Sequence, residues 1–578
     1  MFDYVRGKVS KVNSAEAISE FEKISAMRKA SILSGDTPDF MTTQGYILFN
    51  EKYVFNDESI MQTYERIART LAKYYTIDVG LAYSKFISLL KRGVLQPSTP
   101  VMCNTGTGRG DSVSCSGNDI QDSVYEFYGS LQENAVLSQR GYGTSSYLGG
   151  IRPRGAPISK GGKASGSVPV FDDQVTMSGK ISQGKNRRGA WAGYLETMHG
   201  DFYELSNYVI LNSSDANVGW IYDKEDIDSL HLYDKESIKR FNRIAYIRSR
   251  FGKGYMMKRS TANKYTTQAI KNSGCPIKAS NLCIEIMLPS SSKYTFSCVL
   301  SSLNLSRWFE FQEDDVFWST IFLDCVVSNT LEQTANAKGM EKIHAFTRDF
   351  RALGLGTLGW HTLLQENSIP FESLKAKMLN KKIFAKIRDE AVKASKHLAK
   401  VFGEPLHCKG TGMANATLLA LAPNTASAIL AGSVSQSIEP LVSNAYNQNT
   451  AAGELMRFNP TLAKLLKAKG EYSVELAYDI TTNHLGSVQH LDCLTDHEKR
   501  VFKTASEIKQ DAILEQAEDR QEFIDQAQSL NLFPNGDEYE IGRLLKKFLE
   551  YDRLKSVYYQ RAIRSVRGSN GECLACHA

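Results

Sequence analysis

The chain has 578 residues, 69 Lys and Arg against 63 Asp and Glu, a formal net charge of +6, and 42% hydrophobic and 23% charged residues. That length allows two or more domains, or one large core with additions, and the composition is that of a soluble globular protein. The basic residues are scattered, which argues against a nucleic-acid surface but allows small phosphorylated ligands, and no apolar run is long enough for a spanning helix.

The start, MFDYVRGKVSKVNSAEA, lacks the apolar stretch of a secretory signal. A cytoplasmic, reducing location is expected, so the ten cysteines read as free thiols, redox groups or ligands rather than a disulfide framework. Residues 1–95 read as helical. Within them, SIMQTYERIARTLAKYYTIDVGLAYSKFISLLKRG spaces its apolar residues by three and four and stops at Gly93. From QPSTPVMCN (96–104) onward, short apolar runs alternate with Gly/Ser turns and helical segments, which predicts an α/β architecture. The stretch 149–170, GGIRPRGAPISKGGKASGSVPV, is too rich in Gly, Pro and Ser for regular structure, and so long a loop is usually functional or disordered. SQGKNRRGAWAG (182–193) is a second glycine- and arginine-containing loop, and residues 371–402 and 495–550 read as helical.

Six segments carry candidate chemistry. In Asn281-Leu282-Cys283-Ile284-Glu285, an extended backbone would put Asn281, Cys283 and Glu285 on one face and Leu282, Ile284 and Ile286 on the other. A carboxylate beside a thiol can serve as general base toward a substrate hydroxyl. Taken alone, the pentapeptide reads first as a half-buried strand with an inert cysteine, and only the wider sequence shifts that weighting. Cys115 sits in DSVSCSGNDIQDS, and Cys298 in KYTFSCVLSSLNLS, a predicted strand with Phe296, Cys298 and Leu300 on one face. On neighbouring strands the two thiols could form a reversible disulfide if their Cα atoms lie within about 7 Å; spacing leaves this open beside the alternative of buried core thiols. LALAPNTASAIL (419–430) predicts a strand, a turn and a helix start, where Thr425, Ala426 and Ser427 offer donors to a phosphate or simply cap the helix.

Tyr558 and Tyr559 are adjacent, and neighbours on a regular strand face opposite ways, so stacking them requires a local distortion. The end, GECLACHA, contains Cys573, Cys576 and His577 in the C-x-x-C-H pattern of c-type haem attachment. A reducing location and the single residue after His577 speak against haem. The stretch RGSNGECLACHA has little to pack and is expected to be a mobile arm.

Together and in this order, QPSTP, SCSGNDIQDS, IRPRGAPISKGGKASG, SQGKNRRGA, NLCIE, FSCVLSSLNLS, APNTASA, SIEP, VYYQR and the terminal C-x-x-C resemble the catalytic large subunit of class I ribonucleotide reductases over about residues 96–578. The resemblance implies a ten-stranded α/β barrel with a central loop over residues 96–565, preceded by the helical region 1–95 and followed by a redox-active tail, 566–578. It implies that Cys283 becomes a thiyl radical that removes the 3′ hydrogen of a ribonucleotide, that Glu285 takes the 3′-hydroxyl proton, and that Asn281 holds the sugar. Cys115 and Cys298 would supply two electrons and end as a disulfide, and Cys573 and Cys576 would reduce it again by thiol exchange. Thioredoxin or glutaredoxin would in turn reduce the tail.

The same resemblance assigns substrate binding to Ser98, Thr99, Ser114, Gly143, Thr425, Ala426 and Ser427. It assigns the effector site that selects the base to Asp122, Ser123, Val124 and Arg152, with Arg187 and Arg188 relaying the choice. Tyr558 and Tyr559 would carry the radical from a separate metal-containing small subunit. No metal ligands and no bound cofactor are therefore expected on this chain. Deoxynucleotides and ATP are the expected effectors, and a homodimer the expected assembly, without nucleic acid or membrane. Only about 95 residues precede QPSTP, so no N-terminal ATP-binding domain, and no overall switch by ATP and dATP, is expected. The segment from Cys115 to Asp122 is short for the family. An adenosylcobalamin-dependent class II enzyme and a non-catalytic nucleotide-binding regulator are the alternatives. A glycyl-radical relative fits less well, because SVRGSNG lacks an aromatic after Gly568.

Overall fold

The computed structural model describes residues 15–183, 187–450, 453–534 and 538–561. Cys573, Cys576 and the rest of the 566–578 tail lie outside the described residues.

The first region is helical: Ala15–Leu33, Thr43–Lys52, Ile60–Ala72 and Val79–Lys91. Local chemistry sets these boundaries. Ser59 and Gln62 form a reciprocal capping box at the start of the third helix, and Asp78 caps the fourth by accepting from Leu81 N. The third helix buries Ile60, Tyr64, Ile67, Ala68 and Leu71, an i, i+4, i+7, i+8 stripe. Fully burying each large apolar side chain is worth about 1.5–3 kcal/mol. Both helices lie against the long helix Asp315–Thr334.

Thirteen strands follow in chain order among the described residues: β1 (Leu95–Pro97), β2 (Cys115–Asp119), β3 (Thr144–Tyr147), β4 (Ser182–Gln183), β5 (Arg187–Arg188), β6 (Trp191–Glu196), β7 (Val218–Tyr222), β8 (Tyr255–Lys258), β9 (Phe296–Asn304), β10 (Leu353–Leu358), β11 (Ala445–Thr450), β12 (Gly453–Phe458) and β13 (Ser556–Val557). Strands β2, β3, β6, β7 and β8 run parallel, side by side. β9 and β10 are also parallel. β10 is bridged to Leu419, Leu421 to Gln528, and Leu532 to Gln560 just beyond β13, all in parallel. The two halves meet antiparallel at two seams, β2 with β9 and β8 with β13. The ring β9, β2, β3, β6, β7, β8, β13, 528–532, 419–421, β10 therefore closes as two parallel sets of five. β1 lies outside this ring, antiparallel to the far end of β9. Crossover helices such as Val124–Gln139, Phe202–Leu211 and Leu374–Phe402 cover the outside, as parallel connections require.

Inside the ring runs the segment 277–288, whose side chains join those of the strands in one buried cluster. One expectation is corrected here. Residues 495–550 are not helical throughout: helices Gln510–Gln521 and Glu538–Glu550 flank an extended piece, 526–532, that closes the barrel. Residues 526–534 are all buried without alternation, so this short piece carries no period-2 signal to stand out between two helices. The 149–166 loop has no regular element, yet it is pinned: Asp201 accepts from Arg154 N at 2.8 Å and from Ser167 N at 2.7 Å. An insertion around residues 445–502 packs on a small core of its own, including Phe458, Leu462, Leu466, Ile480 and Val488. No helix among the described residues is long and apolar enough to cross a membrane.

Candidate active site

Residues 281–285 are a turn rather than the extended segment expected from alternation. Ile284 N donates to Asn281 O at 3.1 Å, and Ile284 adopts φ +64°. That left-handed conformation is rare for a β-branched residue and costs on the order of 1–3 kcal/mol, a strain typical of functional loops. Tertiary contacts from both barrel halves hold it. Tyr194 of β6 donates to Asn281 O at 2.5 Å, Ser529 donates to Cys283 O at 2.5 Å, and Ser556 of β13 donates to Ile284 O at 3.1 Å. Ala527 N donates to Glu285 O at 2.9 Å. The convergence of Asn281, Cys283 and Glu285 thus arises from a folded turn, not from a pleat.

All three are buried, at 0%, 6% and 1% exposure. Cys115 is the register partner of Cys298 across the β2–β9 seam. Directly opposed residues on antiparallel strands have Cα atoms roughly 4.5–5.5 Å apart, within reach of a disulfide. Neither cysteine is in a disulfide. Asn281 Nδ2 donates to Cys115 Sγ at 3.1 Å, and the Cys115 thiol points to Glu285 Oε1 at 4.0 Å. Glu285 Oε2 accepts from Ser529 Oγ at 3.0 Å. Gln526 Nε2 lies 3.5 Å from Cys298 Sγ, and its Oε1 accepts from Met287 N at 3.0 Å. Burial pushes the Cys298 thiol up to about 12, and the Glu285 charge adds to this against the Gln526 hydrogen bond. Space beside Cys298 depends on Gly354, where a Cβ would press into Leu300 Cδ2 and meet Cys298 Sγ at 3.0 Å.

The substrate-binding candidates gather around one end of β9. Ser98 follows β1 and accepts from Ser114 Oγ at 3.2 Å, while Thr99 Oγ1 is 2.8 Å from Tyr53 OH. Gly143 N donates to Ser114 O at 2.9 Å, and Gly143 O accepts from Ser116 N at 2.9 Å, beside Cys115. Thr425, Ala426 and Ser427 begin the helix Thr425–Leu430 after a left-handed Asn424 (φ 52°). Asn424 Nδ2 ties this turn to Ser302 Oγ of β9 at 2.9 Å and to Thr357 O of β10 at 3.0 Å.

The tyrosines follow β13, whose Ser556 holds the loop at Ile284. β13 ends at Val557, and beyond it Tyr558 and Tyr559 bring their rings to 4.2 Å between centroids with planes at 49°. Tyr558 N donates to Leu530 O at 2.8 Å. Tyr255, which the sequence did not single out, completes a trio: its ring is 4.7 Å from that of Tyr558 and 5.2 Å from that of Tyr559, and its hydroxyl donates to Tyr559 OH at 2.9 Å. Tyr255 and Tyr558 share the buried cluster of Cys283, Cys115 and Cys298. Tyr194, Gln526 and Ser529 were likewise missed, because nothing local marks a residue whose partner lies far away in the chain.

Asp122 and Arg152 form an ion pair, and Arg152 Nη1 also donates to Pro157 O at 3.0 Å. Ser123 caps the helix Val124–Gln139 by accepting from Glu126 N at 3.3 Å, and Val124 is exposed. Arg187 and Arg188 pair in backbone register with Gln183 and Ser182 in a hairpin against that helix.

Comparison with known proteins agrees with this architecture. The family described as "Ribonucleotide reductase, barrel domain" matches residues 113–215, 222–408 and 405–560. A Frog virus 3 (isolate Goorha) protein named, provisionally, as a ribonucleoside-diphosphate reductase large subunit is 31% identical, covering 88% of this chain and 97% of its own. The ribonucleoside-diphosphate reductase large subunit of Invertebrate iridescent virus 3 is 29% identical over 89% of this chain and 92% of its own. Among solved structures, the Actinobacillus ureae class Id ribonucleotide reductase alpha subunit superposes with a TM-score of 0.84 at 34% identity, covering 91% of this chain and 97% of that one. By the extent of these matches, the chain belongs to the ribonucleotide reductase family.

Proposed function

We propose that this chain is the catalytic large subunit of a class I ribonucleotide reductase, converting ribonucleoside diphosphates to 2′-deoxyribonucleotides. The observation that carries this reading is the opposition of Cys115 and Cys298 on β2 and β9 beside the buried Asn281–Cys283–Glu285 turn.

The Cys283 sulfur, as a thiyl radical, takes the 3′ hydrogen atom, and Glu285 accepts the 3′-hydroxyl proton. The 2′-hydroxyl leaves as water after protonation. Cys115 and Cys298 together give two electrons and two protons and become joined by a sulfur–sulfur bond, and the 3′ hydrogen returns from Cys283 to the sugar. A closed barrel suits this chemistry because it keeps water and stray hydrogen donors from the radical. Ser98, Thr99, Ser114, Gly143 and the Thr425–Ser427 turn bind sugar and phosphate. Cys573 and Cys576 return the disulfide to thiols and are recharged by thioredoxin or glutaredoxin.

The oxidising equivalent comes from a separate metal-containing small subunit and passes through Tyr559 and Tyr558, with Tyr255 holding the Tyr559 hydroxyl. Asp122, Ser123, Val124 and Arg152 take a deoxynucleotide effector, and Arg187 and Arg188 relay its identity. Exposed Val124, Tyr125 and Tyr128 on the same helix suit a homodimer contact. The deciding experiment measures deoxynucleotide formation with each ribonucleotide, with and without metal-loaded small subunits. Turnover should require such a subunit; turnover on adenosylcobalamin alone would move the chain to class II.

A further inference from the structure

Neighbours on a regular strand face opposite ways, so something other than the strand must turn Tyr558 and Tyr559 toward each other. β13 stops at Val557, and the peptide that joins the two tyrosines is held from both sides. Its N–H, that of Tyr559, donates to Asn531 Oδ1 at 3.1 Å, and Asn531 is itself fixed by donating to Glu439 Oε1 at 2.6 Å. Its carbonyl, that of Tyr558, accepts from Arg248 Nη1 at 2.8 Å.

Arg248 is fully buried on the last turn of the helix Lys235–Phe251. The same Nη1 also donates to Gly254 O, the carbonyl immediately before Tyr255. One nitrogen therefore ties the head of β8 to the chain beyond β13, a partner 310 residues away in the sequence. A cation at a helix C-terminus commonly satisfies a nearby carbonyl, and the Gly254 contact alone would be accounted for in that way. The Tyr558 contact is not. Among the described residues, Nε and Nη2 of Arg248 are buried without a hydrogen-bond partner. Its charge meets the hydroxyl groups of Tyr255 and Tyr222 rather than a carboxylate, and burial pulls the guanidinium down to about 9, which leaves it charged at neutral pH. A buried charge without a counter-ion is destabilising, and an apolar side chain of similar volume would pack there with less strain on the fold. The retained guanidinium thus points to a role in the tyrosine cluster itself.

We propose that Arg248 is the positioning residue of the tyrosine relay: it turns the 558–559 peptide so that the two rings meet, and it holds Tyr255 beside them. The proposal rests on the reading above, in which a radical passes through Tyr559 and Tyr558. Arg248 touches neither substrate nor a reacting atom; it acts through three rings whose centroids lie 4.2, 4.7 and 5.2 Å apart. Each transfer moves one electron and one proton from a phenol to the neighbouring oxygen radical, so the donor becomes a phenoxyl and the acceptor a hydroxyl. A misplacement of about 1 Å in such a constellation can cost on the order of 10²-fold in rate.

The test compares Arg248→Met and Arg248→Lys in the full chain. One nitrogen makes both contacts, so an ammonium can replace it, whereas methionine keeps the bulk and loses donor and charge. Arg248→Met should lower small-subunit-dependent kcat by roughly 10–100-fold, the rate equivalent of one charge-assisted hydrogen bond, with KM and nucleotide binding within about twofold of the parent. Arg248→Lys should recover most of that loss. 3-Fluorotyrosine at position 559 gives a readout that needs no turnover: its 19F resonance should move in Arg248→Met and stay near the parent position in Arg248→Lys. A parent chain inactive with every small subunit would fail the catalytic reading, and the 19F comparison would still decide the role of Arg248. An unchanged kcat or an unmoved resonance in Arg248→Met overturns the proposal. So does a matching loss of nucleotide binding, or a lysine variant as impaired as the methionine one, since either would make Arg248 a support of the fold alone.

Discussion

Cys115 and Cys298 sit directly opposite each other across the antiparallel seam that joins the two halves of the barrel. Register partners on antiparallel strands have Cα atoms about 4.5–5.5 Å apart, inside the range a disulfide spans. With substrate and a radical source but no external reductant, the prereduced chain should stop once both of its dithiol pairs, 115/298 and 573/576, are oxidised. Peptide mass mapping should then find residues 115 and 298 cross-linked. Cys298→Ser should abolish net turnover while leaving the fold intact. Gly354→Ala should impair the pair indirectly, because its Cβ would press on Cys298 Sγ and Leu300.

Removing the sulfur at 283 should be absolute for chemistry and mild for binding. Cys283→Ser should show no detectable deoxynucleotide yet bind substrate within about twofold of the parent. Glu285→Gln keeps the shape and the Ser529 contact but loses the base, so kcat should fall by about 10²–10⁴-fold with KM little changed. Steady-state kinetics beside equilibrium nucleotide binding separates the two effects.

Tyr255→Phe removes one hydroxyl and its hydrogen bond to Tyr559 while keeping the ring contacts. One hydrogen bond of about 1–1.5 kcal/mol corresponds to roughly a tenfold loss in rate. That loss should appear in small-subunit-dependent turnover and not in nucleotide binding. An altered spectrum of a radical trapped at Tyr559 would locate the effect at that hydroxyl.

His361 gives the protein an acid-labile joint. Burial pulls it down to about 3, with Leu441 N donating to Nδ1 at 2.8 Å. Its folded value lies below its unfolded one near 6.5, so the unfolded chain takes up a proton that the native state refuses. The stability it contributes is complete above pH 6.5 and is lost as the pH falls toward 3, by at most about 1.4 kcal/mol per pH unit. His361→Asn preserves an acceptor for Leu441 N but cannot titrate. Urea midpoints measured from pH 7 to 4 should fall less steeply in this variant than in the parent.

Much of the site was legible in the sequence, though for partly different reasons than alternation suggested. Asn281, Cys283 and Glu285 do share one volume, but through a turn with a left-handed Ile284. No propensity argument predicts that conformation for isoleucine, because partners as distant as Ser529 and Ser556 impose it. Cys298 was read correctly as a strand residue, whereas its pairing with Cys115 is a tertiary fact that spacing cannot supply. The extended piece 526–532 was hidden between two helices for the same reason: its partners are Leu419, Leu421 and the chain near β13. Tyr255 escaped notice because it is unremarkable until the chain brings it to Tyr558 and Tyr559.

The order in which the barrel closes bears on how the protein is made. Loop 281–285 is fixed by Ala527, Ser529 and Ser556, which leave the ribosome among the last residues of the domain. Such long-range pairing makes for slow folding, and a nascent chain carries Cys283 for some 240 residues of synthesis before its final supports emerge. A polypeptide cut short before residue 526 would carry Cys115, Asn281, Cys283, Glu285 and Cys298 and would still lack the residues that fix loop 281–285.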